Sequence, residues 1–384
     1  FLDVTINTVI IILYKKGMRV SVMKKKIILS AAFLLSMLCL AGCGKDSADK
    51  YVGEEITSMK KEKADCFAAV LDDGIAKSNQ EYVLQFPEEL KEPYQKFLQE
   101  CFKTIEFEVA SAKKGDDGNY KVDVTYTPLN MGETLKSSDS EKANALKSSD
   151  LAAETSALLE ADAKILAVKP KYQAEVISTL EVKKDGDSFA ISDDSLKAFL
   201  SQALYDCMEP YNAVCEILDI QNFLQSYLDA SFKGEVTQFA KHTSRTEEEA
   251  LAWYETETFD PPSELGEAYV QRYKDALKNI MKQCQYSTGI PKKDAGGFNY
   301  TMDVTVVPNN SLIDAMNEFQ QGTYYSIDEV SAGLVATLEK YAAAPTYGEE
   351  TTVSVPVNFN SLISAGEENA DLTNLSLLIL PTPE

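Results

Sequence analysis

The sequence predicts an α+β fold arranged as two tandem modules, each with helices packed on a curved antiparallel sheet. Three observations point there. A strand-like segment recurs at constant spacing, helical periodicity precedes each copy, and Asp-Gly turns follow β-rich runs in the first copy.

The repeat is the strongest signal. Asn119-Tyr120-Lys121-Val122-Asp123-Val124-Thr125-Tyr126-Thr127-Pro128-Leu129-Asn130 returns as Asn299-Tyr300-Thr301-Met302-Asp303-Val304-Thr305-Val306-Val307-Pro308-Asn309-Asn310, with seven of twelve positions identical and each pair 180 residues apart. Upstream, Tyr94-Gln95-Lys96-Phe97-Leu98 faces Tyr273-Lys274-Asp275-Ala276-Leu277 at an offset of 179, and Leu71-Asp72 answers Leu228-Asp229 at 157. The difference between these offsets predicts an insert of about 22 residues in the second copy, near 244–265. Thr246 followed by three glutamates starts it like a capped helix, and Pro261-Pro262 stops it.

The first module, residues 63–209, opens with helical periodicity over 63–77 and 88–103. Strands follow over 105–113 and 119–127, joined by Lys114-Gly115-Asp116-Asp117-Gly118. Helices around 141–168 lead to a second strand pair, 172–182 and 188–191, joined by Lys183-Lys184-Asp185-Gly186-Asp187, and a helix over 194–207 closes the copy. The second module, 210–384, reads as helix 211–233, the insert, helix 263–282, strands 284–290 and 298–307, helices 311–318 and 327–341, and a strand over 351–359. Past Asn360 the copies part, with no clear hairpin or closing helix. Helices followed by hairpin-linked strands are the pattern of an α+β unit with one sheet face covered.

Ahead of the modules lies an export leader. Residues 1–22 read as upstream sequence before a start at Met23; residues 23–42 then carry Lys24-Lys25-Lys26, an apolar run and a small-residue cleavage site. Leu40-Ala41-Gly42-Cys43 resembles the bacterial lipobox. That resemblance implies a diacylglycerol on the Cys43 thiol, cleavage just before it, and attachment to the outer face of the cell membrane. Residues 43–62, rich in Gly, Ser, Asp, Lys and Glu, read as a solvated tether.

Charge and motif content exclude several function classes. The formal net charge is −23, and six of the basic residues but only one acid precede Cys43, so the exported part is more acidic still. Such a surface repels nucleic acid and anionic headgroups. Beyond Cys43 the cysteines are Cys66, Cys101, Cys207, Cys215 and Cys284, none spaced as CxxC; they read as core thiols, with Cys66 to Cys101 the one bridge considered. The only histidine, His242, has no GxSxG or catalytic cysteine signature beside it, and GxGxxG, GxxxxGK[ST] and HExxH are absent. No cofactor or metal is expected, since Asp116-Asp117-Gly118 and Asp185-Gly186-Asp187 suit hairpin turns better than calcium loops.

Phe232-Lys233-Gly234, Phe239-Ala240-Lys241, the Glu-rich segment at 247–249 and the pattern Tyr120-x-x-Asp123-Val124-Thr125-x-x-Pro128 together resemble an uncharacterised domain of lipoproteins from clostridial-type Gram-positive bacteria. That domain is similar to the nuclear-transport-factor-two-like and cystatin-like cone folds. The resemblance spans most of residues 61–384 and implies no catalytic residue. It leaves a membrane-anchored, non-enzymatic binding or interaction module as the expected function, with a protein, peptide, glycan or small molecule as ligand. Trp253, Tyr254 and Phe259 in the insert form the candidate ligand or partner region. The alternative is a cone-fold enzyme using carboxylate and tyrosine groups in a pocket, for which the recurring Asp123 and Asp303 are the candidate acids. An ABC-type solute-binding lipoprotein fits the length but not the strand and helix order.

Overall fold

The computed structural model describes residues 47–259, 261–293, 299–357 and 370–382. Cys43 and the predicted leader lie outside these residues, as does the hairpin region sought past Asn360.

The expected tether is largely a helix. Residues Ala48–Lys61 form α1, in which Ala48, Tyr51, Val52, Ile56 and Met59 are buried. These recur every three or four positions, one helical stripe, and the stripe joins the first core. Polar residues dominate the segment because the remaining faces meet solvent. After a 3-10 turn at Ala64–Phe67 come α2 (Ala68–Glu81) and α3 (Lys91–Lys103). Tyr94, Phe97, Leu98, Cys101 and Phe102 on α3 fill the same core.

The first sheet has the order β1-β3-β5-β6, all antiparallel, from β1 (Phe107–Val109), β3 (Tyr120–Tyr126), β5 (Val176–Asp185) and β6 (Ser188–Ile191). The short β2 (Lys113–Lys114) also pairs with β3. Gly118 and Gly186, with φ of 83° and 59°, supply the left-handed turn positions in the two predicted hairpins. Between the hairpins run β4 (Leu129–Asn130), α4 (Met131–Ala143) and α5 (Leu151–Val168), the last started by Asp150, whose side chain accepts from the Ala153 amide. Helix α6 (Asp193–Ala203) closes the unit, and β7 (Leu204–Tyr205) pairs parallel with β4.

Helix α7 (Glu209–Lys233) follows at once. Its Tyr211 and Cys215 belong to the first core, while Ile217, Ile220, Phe223, Leu224 and Leu228 belong to the second. The boundary predicted at 209–210 is therefore no break in packing, because a 25-residue helix with apolar residues on several faces serves both cores. Gly234, with φ of 72°, ends it in the left-handed conformation.

Next come α8 (Thr237–His242), α9 (Glu247–Thr258) and α10 (Val270–Met281). A capping box between Thr246 and Glu249 starts α9, as the sequence predicts. The second sheet is β8 (Gln285–Thr288), β10 (Tyr300–Val307) and β11 (Thr351–Val357) in the order β11-β10-β8, with β9 (Lys292–Lys293) also on β10. Helices α11 (Ser311–Gln320) and α12 (Ile327–Ala343) lie between β10 and β11. Here too the strands are antiparallel.

The two sheets share detailed register. Tyr126 opposes Phe107 as Val306 opposes Tyr286, and Asp123 opposes Thr179 as Asp303 opposes Ser354. The Pro-Asn ends of the repeated segment are backbone clasps. The Pro128 carbonyl accepts from the Gln173 amide and the Pro308 carbonyl from Gly348, both at 2.9 Å. The hydroxyls of Tyr172 and Tyr347 donate to the carbonyls of Thr104 and Gln283.

One sequence expectation about the end of the chain gives way. A closing helix does follow the second sheet: α13 (Ala370–Ile379) packs on β10 and β11, and its Ile379 carbonyl accepts from the Asn309 amide at 2.9 Å. The segment predicted as an insert, near 244–265, carries the helix α9. Lys60 on α1 lies over the Phe107 ring at 5.0 Å, and Lys233 on α7 lies over Tyr286 at 4.5 Å.

Candidate functional site

The predicted aromatic site is largely core. Tyr254 and Phe259 are 3% and 1% exposed and meet edge to face at 5.0 Å. Trp253 is half-buried, with its ring 4.9 Å from Phe239 and 6.4 Å from Tyr227. The apolar face of α9 packs inward, and the trio forms no open ligand box.

Asp123 and Asp303 do not face a cavity. Along β3 and β10 the buried positions are Val122, Val124 and Tyr126, and Met302, Val304 and Val306, so each aspartate points to the opposite, solvated face. Asp123 accepts from Lys113 at 2.8 Å and from the Thr179 hydroxyl at 2.7 Å, and these bonds hold its carboxyl below the usual range. Asp303 accepts from the Ser354 hydroxyl. Pocket acid catalysis needs desolvated carboxyls, so these two are cross-strand polar contacts instead.

His242 ends α8, stacked parallel on Phe223 with ring centroids 4.6 Å apart. Its Nε2 meets Asn222 Oδ1 at 2.8 Å, and Nδ1 lies 3.9 Å from Asp219. Burial pushes its pKa down to about 4. Asp219 in turn accepts from the Val83 and Leu84 amides, joining the chain after α2 to α7. Neither partner of the imidazole is a nucleophile, so the arrangement is a buried fastening.

The thiols are equally quiet. All five cysteines beyond Cys43 are free, and Cys66 and Cys101 form no bridge. Burial raises Cys66 and Cys284 to about 12 and Cys207 to about 11, keeping them protonated and unreactive. Among the described residues no group of three or more His, Cys, Asp or Glu side chains is placed to hold a metal ion, and no helix is long and apolar enough to cross a membrane.

Two features that sequence reasoning missed lie together near the middle of the chain. One is a polar cleft of about 260 Å³ between the end of α2, α4, the first half of α7 and β9. Glu81, Tyr82, Lys136, Glu209, Glu216 and Lys293 line it. Glu216 accepts from the Tyr300 hydroxyl at 2.5 Å and from Lys293 at 3.0 Å, so strand and helix groups from both sides of α7 meet there. Burial, then the charge of Asp206, raises the Glu209 carboxyl.

The other is a buried acid pair, Asp139 on α4 and Asp162 on α5, 1% and 0% exposed. Lys142 hydrogen-bonds Asp162 and lies 3.9 Å from Asp139. Burial, then the charge of Asp162, pushes Asp139 up to about 8. A signal for half of this was present: Asp162 lies on the apolar stripe of Leu158, Leu159 and Leu166, where an acid must be buried. Asp139 gave none, since the segment 136–142 is polar throughout and lies largely ahead of the helices predicted around 141–168.

No protein-family model, curated protein or solved structure matches the chain.

Proposed function

We propose that the chain is an exported lipoprotein, anchored through lipid on Cys43 to the outer face of the membrane, and that it acts as a non-enzymatic binding module. The observation that carries the binding reading is the cleft around Glu209, Glu216, Lys136 and Lys293, which offers both charges and a tyrosine edge within one recess. A peptide, glycan or small polar molecule carrying both donors and acceptors suits that lining. The solvated positions of Asp123 and Asp303 and the neutral, nucleophile-free setting of His242 support binding over cone-fold catalysis. The antiparallel sheets support it over a solute receptor with parallel-sheet lobes. The shared register of the two sheets supports reading the halves as copies of one cone-like module.

A thermal-shift screen of the chain from Gly44 onward against peptides, glycans and small polar molecules tests the binding reading. Ligand at 100 times its Kd stabilises by about 2.7 kcal/mol, and the Glu216→Gln and Lys136→Ala variants should lose that shift. A hit that survives both changes places the ligand elsewhere, and a flat screen counts against small-ligand binding. Mass spectrometry of the membrane fraction tests the anchor: diacylglycerol on Cys43 is expected, and an unmodified Cys43 overturns it.

A further inference from the structure

Asp139, Asp162 and Lys142 set a charge problem that the surrounding protein does not solve. Two buried carboxyl groups share the ammonium of one part-exposed lysine, and both Asp139 oxygens and Asp162 Oδ2 are buried without a hydrogen-bond donor. One negative charge is left over, and a buried unpaired charge is strongly unfavourable. A proton held between the two carboxyls removes it, because a protonated carboxyl becomes a donor to its neighbour.

The remaining neighbours do not supply a second cation. On α7 the facing group is Glu209, and Asp206, just after β7, acts on that glutamate; both add negative charge. Lys136, one turn before Asp139, faces Glu209 from the cleft. On α3 the Tyr94 hydroxyl and Cys101 thiol sense Asp139 and Asp162, and burial keeps both neutral.

Position gives the pair a lever. Lys136, Asp139 and Ala143 recur at helical spacing, so they share one face of α4, and Lys136 and Ala143 line the cleft. We propose that Asp139, Asp162 and Lys142 form a proton-operated latch that clamps α4 onto α5 and so fixes one wall of the cleft. With the proton in place the cluster is neutral overall and α4 stays seated. Without it, two anions face one ammonium, and α4 is released from α5. The latch stands on the buried cluster alone and holds whether or not the cleft takes a ligand.

Hydrogen exchange of the full chain, read by mass spectrometry from pH 5 to 9 and corrected for intrinsic exchange, tests it. An open α4 returns its aspartate to the ordinary range, so the opening constant should rise by about tenfold per pH unit between pH 5 and 7 and level off above about 8. Peptides of α10 should show no such trend. Asp139→Asn, which keeps the shape and cannot ionise, should flatten the α4 profile. Should that variant fail to fold, Asp162→Asn takes its place and the wild-type profile alone remains decisive. A pH-independent α4 in the wild type, or an unchanged slope in a folded Asn variant, overturns the latch.

Discussion

The Tyr300 hydroxyl, on the central strand of the second sheet, donates to Glu216 on α7 at 2.5 Å, between Cys215 of the first core and Ile217 of the second. The bond ties a strand of one half to the helix both halves share. Burial and the nearby Glu216 push the phenol well above its ordinary pKa, so it remains a donor at every pH the fold tolerates.

Tyr300→Phe removes that donor and keeps the ring. Glu216 retains Lys293, so the carboxylate is not stranded and the loss is that of one charge-assisted bond, about 1.5–3 kcal/mol. Urea unfolding followed by tryptophan fluorescence reads it directly, since Trp253 is the only tryptophan and lies in the second half. An unchanged midpoint would mean that this bond adds nothing to the joint.

His242 predicts the acid limb of stability. Its folded pKa of about 4 lies below the ordinary 6.5, so the fold favours the neutral ring. The contribution is fully present above pH 6.5 and is lost progressively as pH falls from there through about 4. His242→Gln should flatten this limb of the denaturation midpoint against pH while leaving the profile above 7 the same as in the wild type. The opposite slope, stability falling as pH rises from about 4 to 8, belongs to Asp139 and should remain in that variant.

Gly234 and Gly186 separate two costs of the same substitution. Both have positive φ, so alanine is strained at either, about 1 kcal/mol for the backbone alone. At Gly186 a Cβ meets nothing within 4 Å, whereas at Gly234 it would lie 2.7 Å from Cε1 of Tyr254, a ring buried in the second core. Gly234→Ala should therefore cost more than Gly186→Ala by about 1–3 kcal/mol of overpacking. Equal losses in thermal melts would show that Tyr254 can shift at little cost.

What the sequence made legible follows from periodicity. Residues 119–130 and 299–310 announced themselves because alternate positions face a core and the Pro-Asn ends hold a backbone clasp, two constraints that both halves obey. The α13 helix escaped notice because only Leu372, Leu375 and Ile379 of its ten residues are buried, too few to mark a clear stripe in the sequence. Asp139 was illegible for a deeper reason. A polar helix is buried there only because α5 and α7 close over it, and no local pattern records that.

The first helix supplies the last test, because tether and helix make opposite predictions. A solvated tether tolerates any substitution, but Ile56 is 4% exposed and Met59 is 2% exposed in the first core. The Gln99 side chain donates to the Met59 carbonyl at 2.9 Å, and Lys60 reaches the Ile105 carbonyl, so α1 is fastened as well as packed. Ile56→Ala should cost about 2–5 kcal/mol, the range for truncating a large aliphatic side chain in a packed interior. A surface change on the same helix, Glu54→Ala, should stay within about 0.5 kcal/mol. Removing residues 47–62 altogether should expose Val70, Phe102 and Val122 and collapse amide protection in β3 and β5, while β10 and β11 keep theirs. Protection unchanged in β3 after that truncation would mean the first core closes without α1, and the segment would then be a tether after all.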